Sequence, residues 1–157
     1  MKVTINQNTD CGEEEIIINC SYVDERLKGL IELIRQYSFS MELFNGNESY
    51  HIPLECILYF DSANGRTFAY TVDKIYEAKE SLLELEGKLK GTPYVRISKN
   101  CILNTAYLVK VQPIINHRLE ATLKNKEKVI VSRNYISALK EKLLSRGGSV
   151  KESRGQP

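Results

Sequence analysis

YVRISKNCILN, residues 94–104, carries two opposed instructions within eleven positions. Val95 and Ile97 face one way, while Tyr94, Arg96 and Ser98 face the other, which is the period of a strand. Lys99-Asn100 then break the alternation before Cys101, Ile102 and Leu103 resume burial. Such a break is a tight turn or a bulge, a device that aims side chains outward at a sheet edge. The stretch therefore reads as strand, turn, strand, with Lys99 and Asn100 projecting from the tip. Arg96, Ser98 and Lys99 gathered there imply that something long and anionic lies across that edge.

The same texture extends on both sides. Downstream, YLVKVQPII, a turn at Asn116-His117, RLEATLK, a turn at Asn125-Lys126 and KVIVS continue an antiparallel meander. A last helix begins at Ser132, packs Ile136, Leu139 and Leu143, and stops at Gly147-Gly148. Upstream, Gly91-Thr92-Pro93 ends a short helix whose start, Ser81-Leu-Leu-Glu84, matches a capping box. Leu82, Leu85 and Leu89 line one face of that helix. Before it, Asn64-Gly65 is the strongest two-residue hairpin signal in the chain, joining 55–62 to 66–72. MELFNGNESYHIP (41–53) reads as a further hairpin, and IYEAK as a short strand.

The front of the chain differs. Glu15 and the run Ile16–Cys20 read as a buried strand. A helix follows, with Asp24 at its cap and Leu27, Leu30, Ile31 and Ile34 at i, i+3, i+4, i+7. The fold class expected is α+β, mainly β. Antiparallel sheets with one short internal helix and one C-terminal helix are preceded by a small strand–helix extension. The polar tail has no periodicity and is expected to be disordered.

Charge is segregated. Residues 1–87 hold 7 Lys and Arg against 16 Asp and Glu, a net −9. Residues 88–157 hold 15 against 4, a net +11. A dipolar chain of this kind suggests that one half meets a polyanion. The bland alternative is basic surface that only solubilises. Four cysteines, Cys11, Cys20, Cys56 and Cys101, contain no C-x-x-C pair. Cys20, Cys56 and Cys101 lie in apolar contexts and read as small, reduced core residues. The N-terminus lacks an apolar h-region and no run suits a membrane span, so the chain is expected in the cytoplasm.

Catalytic patterns are missing from the sequence. There is no G-x-G-x-x-G, G-K-[ST], G-x-S-x-G or H-E-x-x-H. His51 and His117 have no ligand spacing, so neither a metal nor a cofactor is expected, and no enzymatic role. The basic half remains. Ser132 suits an N-cap, which puts Arg133 and Asn134 in a first helical turn whose orphan N–H groups favour a phosphate. An arginine there has a planar fork able to take guanine O6 and N7 in a major groove. Arg66, just past the Asn64-Gly65 turn, is a third basic tip beside Lys99. Basic residues on loops of a rigid β scaffold can reach into grooves. Lys126 and Lys128 are candidate phosphate contacts.

The pieces IPLECILYFDSANGRTFAYT (52–71), SLLELEGKL (81–89), YVRISKNCILN (94–104), YLVKVQP (107–113) and VIVSRNYISALKEKL (129–143), in this order, resemble the LytTR DNA-binding domain, an output module of many bacterial response regulators. The most specific pieces are the leucine-rich helix, Tyr94-x-Arg96 with Asn104, and the closing Val131-Ser132-Arg133. The resemblance implies an elongated arrangement of small antiparallel sheets whose loops, rather than a recognition helix, enter successive major grooves. It implies base contacts from Lys99, Arg133 and Arg66, and DNA-backbone contacts from Ser98, Asn100 and Asn134. Arg96 and Asn104 take structural roles, bonding neighbouring loops.

One departure leaves the base preference open. The family pattern of His, then a basic residue or Asn, then Ser is replaced here by Ser98-Lys99-Asn100. The front is similar to stand-alone LytTR regulators, which lack a receiver domain and often accompany a small membrane protein. The implied organisation is an extension over 1–43, a DNA-binding domain over 44–146 and a tail over 147–157. The implied partners are double-stranded DNA, a second copy in a homodimer on repeated half-sites, and a small membrane protein through residues 1–40. The alternative is a protein-interaction module with only non-specific DNA affinity.

Overall fold

The two strands of the 94–104 stretch end a seven-stranded sheet, and their opposite faces contribute to two different cores. A computed structural model describes residues 1–10, 12–145 and 151–152. The elements in chain order are α1 (Glu25–Tyr37), β1 (Ser40–Asn45), β2 (Glu48–Pro53), β3 (Tyr59–Ala63), β4 (Arg66–Tyr70) and β5 (Ile75–Ala78). Then come α2 (Leu82–Lys88), β6 (Tyr94–Ser98), β7 (Cys101–Asn104), β8 (Leu108–Ile114), β9 (Arg118–Leu123), β10 (Lys128–Val131), α3 (Ile136–Leu144) and β11 (Lys151–Glu152). A seven-stranded sheet runs β2-β1-β5-β4-β3-β7-β6, and a four-stranded sheet runs β10-β9-β8-β11. All pairings are antiparallel except the short one between β11 and β8.

Alternation explains the two cores. Ile102 joins Phe60, Ala69 and Tyr94 in one core with Leu82 and Leu85 of α2 and Leu89 just after it. Its neighbours Cys101 and Leu103 point the other way and join Ile97, Leu119, Ala121, Val131 and Leu139 between the second sheet and α3. Every residue of β7 is therefore buried, and its near-continuous apolar run follows from covering both faces. The backbone N–H of Ser132 donates to the Ile97 carbonyl (2.9 Å), stitching the end of β10 to β6.

The turns follow their residues. Asn64 (φ 54°) and Gly65 (φ 74°) both adopt the left-handed region, as the tight β3–β4 hairpin requires. Asn116 and His117 do the same between β8 and β9. Asp24 caps α1, its Oδ1 accepting from the Leu27 N–H at 2.8 Å, and Ser81 caps α2 through the Glu84 N–H at 3.2 Å.

Several expectations are corrected. Residues 16–20 form no strand; Ile16 and Ile17 are 66% and 69% exposed, because no neighbouring edge receives them. α1 buries Gly29, Glu32 and Gln36 most deeply, while the Leu27/Leu30/Ile31/Ile34 stripe is only half-buried. Its anchor is Lys142 of α3, whose ammonium donates to Glu32 Oε1 (3.2 Å) and to the Thr92 carbonyl (3.0 Å). Arg35 lies over Gly91 so closely that a Cβ there would sit 2.6 Å from its Nη1, and Gly91 also has φ +77°. Ser132 forms no side-chain cap. Arg133–Tyr135 make a 3-10 turn, and α3 starts only at Ile136. Of the described cysteines, Cys20 and Cys56 are exposed, and Cys101 alone is buried.

The segment 55–62 opens as a 3-10 turn over Leu54–Cys56, and the strand begins at Tyr59. The position expected for a boundary, between 43 and 44, falls inside β1. Most of the tail lies outside the described residues, including Gly147 and Gly148; within it Lys151–Glu152 pair with Lys110–Val111 of β8.

Candidate nucleic-acid interface

Arg96 resolves the puzzle of the opening stretch. It does not point at solvent; it folds back over its own turn. Its Nε donates to the Ser98 carbonyl (2.9 Å), Nη2 to the Lys99 carbonyl (2.5 Å) and Nη1 to Glu86 of α2 (2.9 Å). Two of these charge-assisted bonds fix the backbone of residues 98–99, and the third ties the same planar fork to α2. The register of β6 against β7 also shifts between Arg96 and Ser98, a bulge one step before the turn. The Ser98 hydroxyl accepts from the Asn100 N–H (3.2 Å), so it serves the turn itself. Lys99 and Asn100 are the exposed tip. Asn104, wholly buried, donates to the Ile57 carbonyl (3.0 Å) and accepts from the Ala106 N–H (3.1 Å), tying two connections together.

The other two basic tips are joined to this turn by backbone bonds. The Ser62 N–H donates to the Asn100 carbonyl (2.8 Å), which brings the β3–β4 hairpin and Arg66 beside the Lys99 turn. The Ser132–Ile97 bond does the same for Arg133 and Asn134, both exposed on their 3-10 turn. Arg66, Lys99 and Arg133 thus sit on three consecutive-neighbour turns held to one another through the shared strands β6 and β7. Among the described residues Lys99 and Arg133 make no side-chain hydrogen bond or ion pair. Arg66 does, with Glu77 of β5, through Nε (2.8 Å) and Nη2 (2.5 Å). That pairing holds the Glu77 carboxyl below the usual carboxylate range, chiefly by the hydrogen bond from Arg66. Lys128, a candidate phosphate contact, is paired with Glu120 at 3.4 Å, while Lys126 is exposed with φ +70°.

Two acidic partners escaped the sequence reading, Glu86 and Glu77. The alternation Tyr76-Glu77-Ala78, with Tyr76 and Ala78 buried, is the signal that would have placed Glu77 on the outer face beside Arg66. Among the described residues no group of three or more His, Cys, Asp and Glu could hold a metal ion, and no helix is long and apolar enough to cross a membrane.

A family model for the LytTr DNA-binding domain matches residues 47–144, which contain all three turns. The chain belongs to the LytTr DNA-binding domain family. The fold agrees: a solved LytTr DNA-binding domain from Bacillus cereus superposes with a TM-score of 0.63 at 21% identity, covering 66% of this chain and 95% of that one. The chain is also 30% identical over 87 residues to the sensory transduction protein LytT of Bacillus subtilis, and 34% identical over 87 residues to LytT of Enterococcus faecalis. Each match covers 55% of this chain and 36% of the relative, so the chain spans about a third of the length of these curated proteins. An uncharacterised HTH-type transcriptional regulator from Staphylococcus aureus is 26% identical over 145 residues, covering 91% of this chain and 98% of that one. In this LytTr domain the seven-stranded sheet carries the Arg66 hairpin and the Lys99 turn, and the four-stranded sheet carries the strand leading to Arg133.

Proposed function

We propose that this LytTr protein is a cytoplasmic, sequence-specific regulator of transcription that binds double-stranded DNA. In this reading Arg66, Lys99 and Arg133 enter successive major grooves and contact base edges. Ser98, Asn100 and Asn134 contact the sugar–phosphate backbone, and two copies bind repeated half-sites. The carrying observation is the pair of bonds Ser62–Asn100 and Ser132–Ile97, which tie the three basic turns to one another; this supports a reading in which turns rather than a helix meet the groove. The regulatory role is supported by the Staphylococcus aureus relative, whose matched length is nearly that of this chain. Domains are assigned accordingly: DNA binding to 44–146, and the dimer or partner surface to 1–43.

The energetics divide cleanly. Phosphate contacts from the basic half, net +11 over residues 88–157, supply salt-dependent affinity for any duplex. Each base-reading side chain supplies roughly 1–3 kcal/mol of discrimination. Fluorescence anisotropy across a salt series tests the division, using duplexes from the gene's own upstream region and scrambled controls. Arg133→Ala should erase the margin between the preferred and scrambled duplex and leave the salt-dependent background. A margin untouched by Arg133→Ala, or no margin in the wild type, rejects the reading.

A second reading has its own observation. Ile16, Ile17, Tyr22, Val23, Leu33 and Phe39 are all exposed large apolar residues within the first forty. A protein-interaction module, docking for instance a small membrane protein there, would show equal binding to all duplexes.

A further inference from the structure

We propose that Glu77 is a positioning residue for base recognition, aiming the Arg66 guanidinium so that only its outer fork is presented to DNA. The proposal rests on the reading of Arg66 as a base contact.

The strand register builds the arrangement. Phe68 of β4 lies directly opposite Glu77 of β5, and Arg66 is two residues from Phe68 on the same face. The diagonal reach between Arg66 and Glu77 is one that long side chains span across antiparallel strands. The opposite face of these strands holds Thr67, Ala69, Tyr76 and Ala78, all buried, so Arg66, Phe68 and Glu77 share the outer face. Glu77 is also opposite Phe44 of β1, which places it within the sheet between two strands rather than on a loop. The guanidinium carbon lies 5.6 Å from the Phe68 ring centroid. One carboxylate and one aromatic face therefore fix the arginine from two directions.

Guanidinium chemistry then limits what remains. Arginine has five N–H donors. Glu77 takes the Nε edge and one Nη2 hydrogen. The Nη1–Nη2 end stays open, and two parallel donors at that end match O6 and N7 of guanine. Lys99 and Arg133 have no such buttress among the described residues, so Arg66 alone is pre-aimed. An ion pair this exposed adds little to folding stability, so stability does not account for its bidentate geometry. The carboxylate has a second consequence. Standing next to the arginine, it repels phosphates and penalises duplexes on which Arg66 misses its base.

The experiment uses the full chain and one duplex recovered from a randomised pool by selection on the wild type, its single-base-pair variants, and a scrambled duplex. Arg66→Ala should flatten the preference at one G·C pair. Glu77→Gln should cut the preference at that same pair by roughly fivefold or more, while binding the scrambled duplex more tightly. In the Arg66→Ala background Glu77→Gln should remove no further preference. Glu77→Asp, which keeps the charge but shortens the arm, should restore weak binding to the scrambled duplex without restoring the preference. Circular dichroism and thermal unfolding verify that each variant is folded.

If Arg66→Ala flattens a pair and Glu77→Gln leaves that pair's preference intact, or acts additively with Arg66→Ala, the role of Glu77 is wrong while the reading of Arg66 stands. If Arg66→Ala changes no pair, Arg66 is not a reader and the proposal falls with it.

Discussion

Residues 15–20, EIIINC, and residues 101–104, CILN, are two short apolar runs that each carry a cysteine, and they have opposite fates. The second has a strand on either side. β3 pairs with it through Tyr59↔Leu103, and β6 through Val95↔Leu103. With both edges bonded and both faces covered, all four residues are buried. The first has neither edge nor face, and its isoleucines remain in solvent. An apolar run is an offer of burial, not a strand. The turn Lys99-Asn100, the bulge before it and the Arg96 fork supply the second run with its register, and nothing equivalent acts on the first.

The comparison can be broken most sharply with a thiol reagent. Burial, then the Asp61 charge, pushes the Cys101 thiol up to about 12, with Arg96 opposing. A rise from the ordinary thiol value of 9.0 leaves about a thousandfold less thiolate at a given pH below 9. At pH 8 Cys20, which is exposed, should be alkylated promptly, while Cys101 should stay unmodified until the protein unfolds. Mass spectrometry of the peptides reads the difference, and comparable labelling of both would mean that β7 is not the buried strand described.

Stability comes next. Leu103 is fully buried, so Leu103→Ala should cost about 2–5 kcal/mol in denaturant unfolding. Ile17→Ala, at 69% exposure, should stay within about 0.5 kcal/mol. An Ile17→Ala cost near that of Leu103→Ala would show that the first run is packed in solution, against a second copy or a partner.

Arg96→Met sharpens the account of the turn. It keeps an apolar stem but removes the donors to the Ser98 and Lys99 carbonyls. A loss of about 1–3 kcal/mol is expected, together with weaker discrimination between duplexes. Stability lost without any change in discrimination would separate the turn from recognition.

Much of this was legible in the residues. Turns announced themselves because left-handed backbone demands Asn or Gly, as at Asn64-Gly65, and caps because an orphan N–H needs a side-chain oxygen, as at Asp24 and Ser81. The three basic tips were legible as tips. Their convergence was not, since it depends on two backbone bonds between segments distant in sequence, Ser62–Asn100 and Ser132–Ile97. α1 misled for a related reason. Its periodicity marked an apolar stripe that ends only half-buried, while the deepest contacts include an ion pair, Glu32 with Lys142, and Arg35 lies over Gly91. Ser132 had the right chemistry for a cap, but the 3-10 turn over Arg133–Tyr135 postponed the helix past it.

The central claim is that the three joined turns meet DNA as a unit. The direct measurement is a titration of the nitrogen-15-labelled protein with its selected duplex, following backbone amide shifts. The account predicts that amides of residues 64–66, 98–100 and 132–134 move together at one affinity, and that variants at Arg66 or Arg133 weaken the shifts at all three. Amides at these turns that stay still while shifts appear along residues 1–39 or the outer face of α3 would contradict it.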